Sequence, residues 1–385
     1  MNNPRRADLM RSMNRPLEAK LKLETARGAF RHLPCGRRWV SNKEKLSEGT
    51  TMNRRQFLRD ASTTLGAAMF APSLLKAFDA APSVSHVAFV KTTDRASGVK
   101  RAIELLGMEK FRGKDLFIKP NFNSSDPTPG STHEDTLVAL MRQLKAMGAG
   151  PLTLGDRSGM GNTREVMGKK SAFQMSKELD AKVVVFDELG PDDWELLKQQ
   201  DSHWEQGFAL PRIVCKAGGV VQTCCLKTHR FGGHFTLSLK NSVGLAAKYV
   251  PGNSYNFMRE LHSSPHQRHM IAEINTAYKP DLILLDGVQA FTNGGPDQGK
   301  LVQSNVILAG TDRVAIDAVG VALLRHFGTT PEVSQGAIFE QEQIARAVQL
   351  KIGVSSPKQI ELVTGDRDSA EYAKQIRAVL DGGKA

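Results

Sequence analysis

The chain has 385 residues, 40% of them hydrophobic and 24% charged, enough to bury one large core or two ordinary ones. Its formal charge of +12 is concentrated at the start. Residues 1–51 hold 12 Lys/Arg against 5 Asp/Glu, residues 52–81 hold 4 against 2, and the remaining 304 carry only +3. A nearly neutral body lacks the basic field that attracts a polyanion, which argues against nucleic acid as a partner.

Residues 1–51 are Arg-rich and non-periodic, the composition of a disordered leader or of a start placed too early, with Met52 as the true one. From Met52 the chain reads MNRRQFLRDASTTLGAAMFAPSLLKAFDAA. With Arg54-Arg55, Phe57 and Leu58 in place, residues 52–81 resemble a twin-arginine signal peptide. The resemblance implies the twin-arginine translocation machinery as a partner, and a periplasmic or otherwise exported location. The apolar part, Thr63 to Leu75, falls short of the roughly 20 residues that span a bilayer, and no later segment reaches that length.

After residue 82, short apolar β-branched runs alternate with helical patterns. Strands are predicted from His86, Asp115, Pro151, Lys182, Gly219, Asp281, Ser304 and Gln359. Helices are predicted after Thr132, where Asp135 completes a capping box, and at Asn162, where Glu165 stands in the same arrangement. Others follow from Arg313, Val333 and Asp368. The alternation predicts an α/β fold of mostly parallel sheets flanked by helices, arranged as two Rossmann-like lobes over 82–250 and 251–385. The loop-rich stretch from Phe231 to Pro265 reads as a connection or a lid. The cysteines, Cys35, Cys215, Cys224 and Cys225, show no CxxC spacing, so there is no iron–sulfur motif. Adjacent Cys224 and Cys225 read as small core residues on opposite faces of a strand.

Polar groups stand where the predicted strands end. Lys119 and Asn121 follow one strand, Asp156 another and Asp286 a third, while Lys227, His229, His234, Lys240 and Asn241 crowd the segment KTHRFGGHFTLSLKN. Parallel strands gather their carboxyl ends along one edge, so these groups are expected to line one cleft. Lys227, His229, Lys240 and Asp286 are the candidate catalytic groups, suited to acid/base work or oxyanion stabilisation. Lys119, Asn121, Asp156 and Asn241 are the candidates for binding a small anionic ligand or cofactor. His229 and His234 are candidate metal ligands. The residues name no cofactor, and a metal or metal-containing group is the class they suit. The loop GDRSGMGN, 155–162, offers either backbone N–H groups to an anion or a turn needing positive φ. His262, His266 and His269 would share one helix face if Pro265 did not interrupt it.

The stretches FIKPN, DPTPGSTHEDTLVALMRQLKAMGA, LTLGD, LKTH, FTLSLKNSVGLA, INTAYKPDLILLDG, NGGPDQG and AGTDRVAIDAVG, the last containing Asp317, resemble the family called domain of unknown function 362 over most of residues 85–330. The family has no general assigned reaction, so the resemblance implies a fold and a site. Some relatives carry ferredoxin-type cysteine motifs that this chain lacks. DPTPGSTHEDTLVALMRQLKAMGAG is also similar to the opening domain of the lactate racemase group, which holds a nickel-pincer nucleotide on a lysine. That likeness points to Lys227 or Lys240, with His229 and His234. The expectation is an exported α/β enzyme with an anionic substrate or cofactor. The alternatives are a non-catalytic periplasmic ligand- or metal-binding protein and a racemase- or isomerase-like enzyme.

Overall fold

A computed structural model describes residues 84–108 and 111–383. The expected leader, residues 1–51, and the expected signal peptide, residues 52–81 with Arg54-Arg55, lie outside the described residues. Eleven strands are described: β1 (Ser85–Lys91), β2 (Leu116–Lys119), β3 (Leu152–Asp156), β4 (Ala181–Val185), β5 (Trp194–Leu197), β6 (Phe208–Pro211), β7 (Gly219–His229), β8 (His234–Thr236), β9 (Leu282–Gly294), β10 (Gly299–Gly310) and β11 (Ile360–Val363). Nine form one sheet in the order β11-β1-β10-β9-β7-β2-β3-β4, with β8 paired to β7, while β5 and β6 form a separate hairpin. Strands from both sides of residue 250 therefore share one sheet, joined where β7 runs parallel to β9.

The sheet is mostly parallel, as β1–β11, β2–β3, β2–β7, β3–β4 and β7–β9 all run in the same direction. β10 runs antiparallel to both neighbours. The reason is local: only residues 295–298 separate β9 from β10, whereas a parallel return needs a crossover of a dozen or more residues. Gly294 and Gly295, at φ +85° and +61°, supply the backbone that this tight turn requires.

Burial on both faces explains the continuous apolar runs. In β1, Val87 and Phe89 enter one core while Ala88 and Val90 enter the other; in β9, Ile283 and Leu285 are separated from Leu282 and Leu284 in the same way. The first core packs against helices 313–326 and 367–380, and the second against helices 95–105 and 134–146. A third cluster joins β5 and β6 to helices 257–263 and 267–274. Cys224 and Cys225 are both buried, and burial pushes the Cys225 thiol up to about 11, as fits inert core residues.

The helix boundaries differ from expectation where side chains have other partners. Helix 134–146 is capped by His133, whose Nδ1 accepts from Asp135 N. Thr132 is not free to cap it, because its Oγ1 accepts from Asn121 N at 2.8 Å and meets Thr223 Oγ1 at 2.9 Å. Asn162 caps as expected, accepting from Glu165 N, but the helix breaks at Ser171, which sits at φ 53°. Helices 95–105, 257–263 and 267–274, and the β5–β6 hairpin, are additions to the sequence reading. Among the described residues, no helix is long and apolar enough to cross a membrane.

Candidate ligand-binding site

β7, β2 and β3 are neighbours and parallel, in register through Leu116↔Gly219 and Leu116↔Leu152, so their carboxyl ends open on one edge. β8 and the short helix 238–241 fold back over the end of β7. Asp317, on helix 313–326, accepts from Ser238 N at 2.7 Å and Leu239 N at 3.1 Å and so fixes the turn that presents Lys240 and Asn241. A cavity of about 50 Å³ results, lined by Lys119, Asn121, Asp156, Lys227, His229, Lys240 and Asn241. It opens into a cleft of about 570 Å³, and both are bordered by Asn123, Arg157, His229, Lys240 and Pro296. The inner space admits a group of about one or two waters in size. The outer cleft is in the range of small-molecule sites.

The inner wall is a closed hydrogen-bond network. Lys119 Nζ lies 2.7 Å from Asp156 Oδ1 and donates to Asn241 Oδ1 at 3.3 Å. Asn241 Oδ1 also accepts from Asn121 Nδ2 at 3.0 Å, and Asn241 Nδ2 donates to Thr223 O at 2.8 Å. Lys227 Nζ donates to Asn121 Oδ1 at 3.0 Å, Gly130 O at 2.5 Å and Pro296 O at 3.2 Å. Asp156 accepts from Phe122 N at 2.8 Å and Arg157 N at 2.7 Å. Burial draws the Lys119 ammonium below its ordinary value, and the Asp156 charge opposes that shift. Burial likewise lowers Lys227. Gly244 is required here by close approach, since a Cβ on it would stand 2.7 Å from both Asp156 Oδ1 and Lys119 Nζ.

Lys240 differs from the other lysines. It is 7% exposed, and among the described residues no hydrogen bond or carboxylate holds its Nζ. Burial, then Lys227 and Arg157, push its ammonium down to about 7. His229 lies beside it: a Cβ on Gly233 would meet both Lys240 Cε, at 2.5 Å, and His229 Nδ1, at 2.9 Å. His229 Nδ1 is buried without a hydrogen-bond partner. Burial, then Lys240 and Lys227, hold that imidazole well below its ordinary value, in the neutral form. The inner cavity thus sets Lys119, Arg157, Lys227 and Lys240 against a single carboxylate, Asp156.

Two expected residues are not brought to this cavity. Asp286 is buried on the face of β9 that carries Leu282 and Leu284, where its Oδ2 accepts from Arg95 Nε at 2.8 Å and Thr136 Oγ1 at 2.6 Å. His234 pairs with His229 across β7 and β8 but lines neither the cavity nor the cleft. Among the described residues, no third metal-ligating side chain joins these two histidines at coordinating distance. The loop GDRSGMGN draws attention through its glycines, yet its contribution also includes a cation. Arg157 is buried, with Nε on Ala246 O at 2.9 Å and Nη2 on Val243 O at 3.1 Å. Lys248 and Arg259 extend the basic wall outward, and His262 and Asp187 also line the cleft. No strand-end signal marks them in the sequence.

The chain is similar to the thylakoid-associated protein sll1697 of Synechocystis sp., at 25% identity over 224 residues, 57% of this chain and 66% of that protein, just under two thirds of its length. Among solved structures it is similar to the lactate racemase apoprotein from Thermoanaerobacterium thermosaccharolyticum. The TM-score is 0.39 at 15% identity, covering 76% of this chain and 86% of that one, and this likeness carries no argument about function. The family model described as domain of unknown function (DUF362) matches residues 116–322, which include every residue lining the inner cavity, and the chain belongs to that family.

Proposed function

We propose that the cleft binds a small anionic substrate, or the anionic group of a cofactor, and that Lys240 and His229 exchange a proton with it. The observation that carries this reading is the unpaired Lys240 ammonium. Lys119, Lys227 and Arg157 are all held by oxygens of the protein, whereas Lys240 has burial without a counter-charge. A buried cation in that state costs free energy until an anion arrives. A lysine at about 7 both loses and regains its proton near neutrality, and the unpartnered Nδ1 of His229 lies beside it.

Two measurements test the two halves of the proposal. Titration calorimetry with inorganic phosphate should give an affinity at least tenfold weaker in Lys240→Met, about 1.4 kcal/mol. An unchanged affinity would remove Lys240 from the binding site. Carbon-13 methylation of the lysines and an NMR titration should place one resonance near neutral pH that Lys240→Arg abolishes. Its absence would remove the proton-transfer role.

We also propose export by the twin-arginine route, supported by Arg54-Arg55, Phe57 and Leu58. Expression of the full chain, with mass spectrometry of the periplasmic fraction, should find a form cleaved near residue 81. Retention in the cytoplasm in an unaltered form would count against export.

A further inference from the structure

The three histidines that crowd the sequence at 262–269 separate in the structure. His262 turns its Nδ1 to Met258 O of its own helix, at 2.6 Å. His266 and His269, at the start of helix 267–274, instead meet His203 from the loop between β5 and β6. One ligand nitrogen from each of the three lies within 4.8 Å of the others. The ring centroids of His203 stand 4.5 Å from those of His266 and 5.0 Å from those of His269.

The surroundings prepare these rings. His203 Nδ1 lies 2.6 Å from Oε1 of Glu273, a fully buried carboxylate that also accepts from His203 N and Ser202 Oγ and is held by Arg346. With Nδ1 so committed, Nε2 is the nitrogen left to face outward. A carboxylate that orients an imidazole in this way is the usual support of a metal-ligating histidine. His269 Nδ1 is buried without a hydrogen bond, 3.9 Å from Glu342 Oε2. None of the three lines the anion cleft.

We propose that His203, His266 and His269 bind a divalent metal ion of the zinc, copper or nickel class, with Glu273 as the positioning residue for His203. Three imidazoles without a thiolate select that class and leave at least one coordination position open. Nitrogens around a tetrahedral ion stand about 3.4 Å apart, so the rings close inward on binding. His266 is exposed and has the freedom to make that movement.

The test uses the full chain, dialysed against a chelator and titrated with Zn²⁺ alone, then with Co²⁺ to read the visible bands of a nitrogen-ligated ion. The expected result is one saturable equivalent per chain, with affinity weakened at least tenfold in both His266→Ala and His269→Ala. The exposed His266→Ala variant should retain the wild-type circular dichroism and phosphate affinity, separating metal loss from unfolding and from failure of the anion site. Absence of saturable binding in the wild type, or unchanged affinity in either variant, overturns the proposal.

Discussion

Replacing Lys240 with methionine keeps most of the apolar stem and deletes a buried charge. The fall from 10.5 to about 7 makes the protonated lysine roughly 5 kcal/mol costlier in the native state than in the unfolded chain. Because the native value lies below the unfolded one, that cost is complete below about pH 7 and fades as pH rises toward 10.5, where the unfolded chain also loses its proton. Between about pH 6 and about pH 9, wild-type stability therefore gains roughly 3 kcal/mol relative to Lys240→Met. The assay is urea denaturation of both proteins at the two pH values, in a buffer free of multivalent anions, with equal slopes required. The variant should be the more stable protein at low pH, and its advantage should shrink on raising the pH. An advantage that stays constant with pH, or a variant less stable at about pH 6, would show that Lys240 is not a desolvated, unpaired ammonium.

Three further outcomes are expected. Gly244→Ala forces a methyl to 2.7 Å from Asp156 Oδ1 and Lys119 Nζ and should lower stability by about 1–3 kcal/mol, together with phosphate affinity; a thermal melt and calorimetry check both. Lys119→Met and Asp156→Asn should each cost about 3–5 kcal/mol, while the double variant loses far less than their sum; strict additivity in urea denaturation would refute the buried pair. Asp286→Asn should destabilise the fold by weakening its contacts with Arg95 and Thr136 yet leave phosphate affinity unchanged, and a calorimetric loss of binding would return Asp286 to the site.

What could be read from sequence follows from local periodicity. Runs such as DLILLDG and GVVQTCCL are apolar at successive positions because both faces of a parallel strand are covered, so strand existence and the α/β class were legible. Lys119, Asn121, Asp156 and Lys227 follow strand ends, and parallel neighbours carry such ends to one edge whatever the loops between them. Only the tertiary structure decided the rest. Asp286 also ends an apolar run, but Arg95, on a helix that no strong pattern marks, and Thr136 hold its carboxylate away from the cavity. His203 joins His266 and His269 across more than sixty residues of chain, a meeting that packing alone determines. Lys240 becomes distinctive through burial without a partner, a property of the assembled cleft and of no residue spacing. Order along the chain specifies which side chains alternate, whereas the desolvation and proximity that give them chemistry arise only when the layers close.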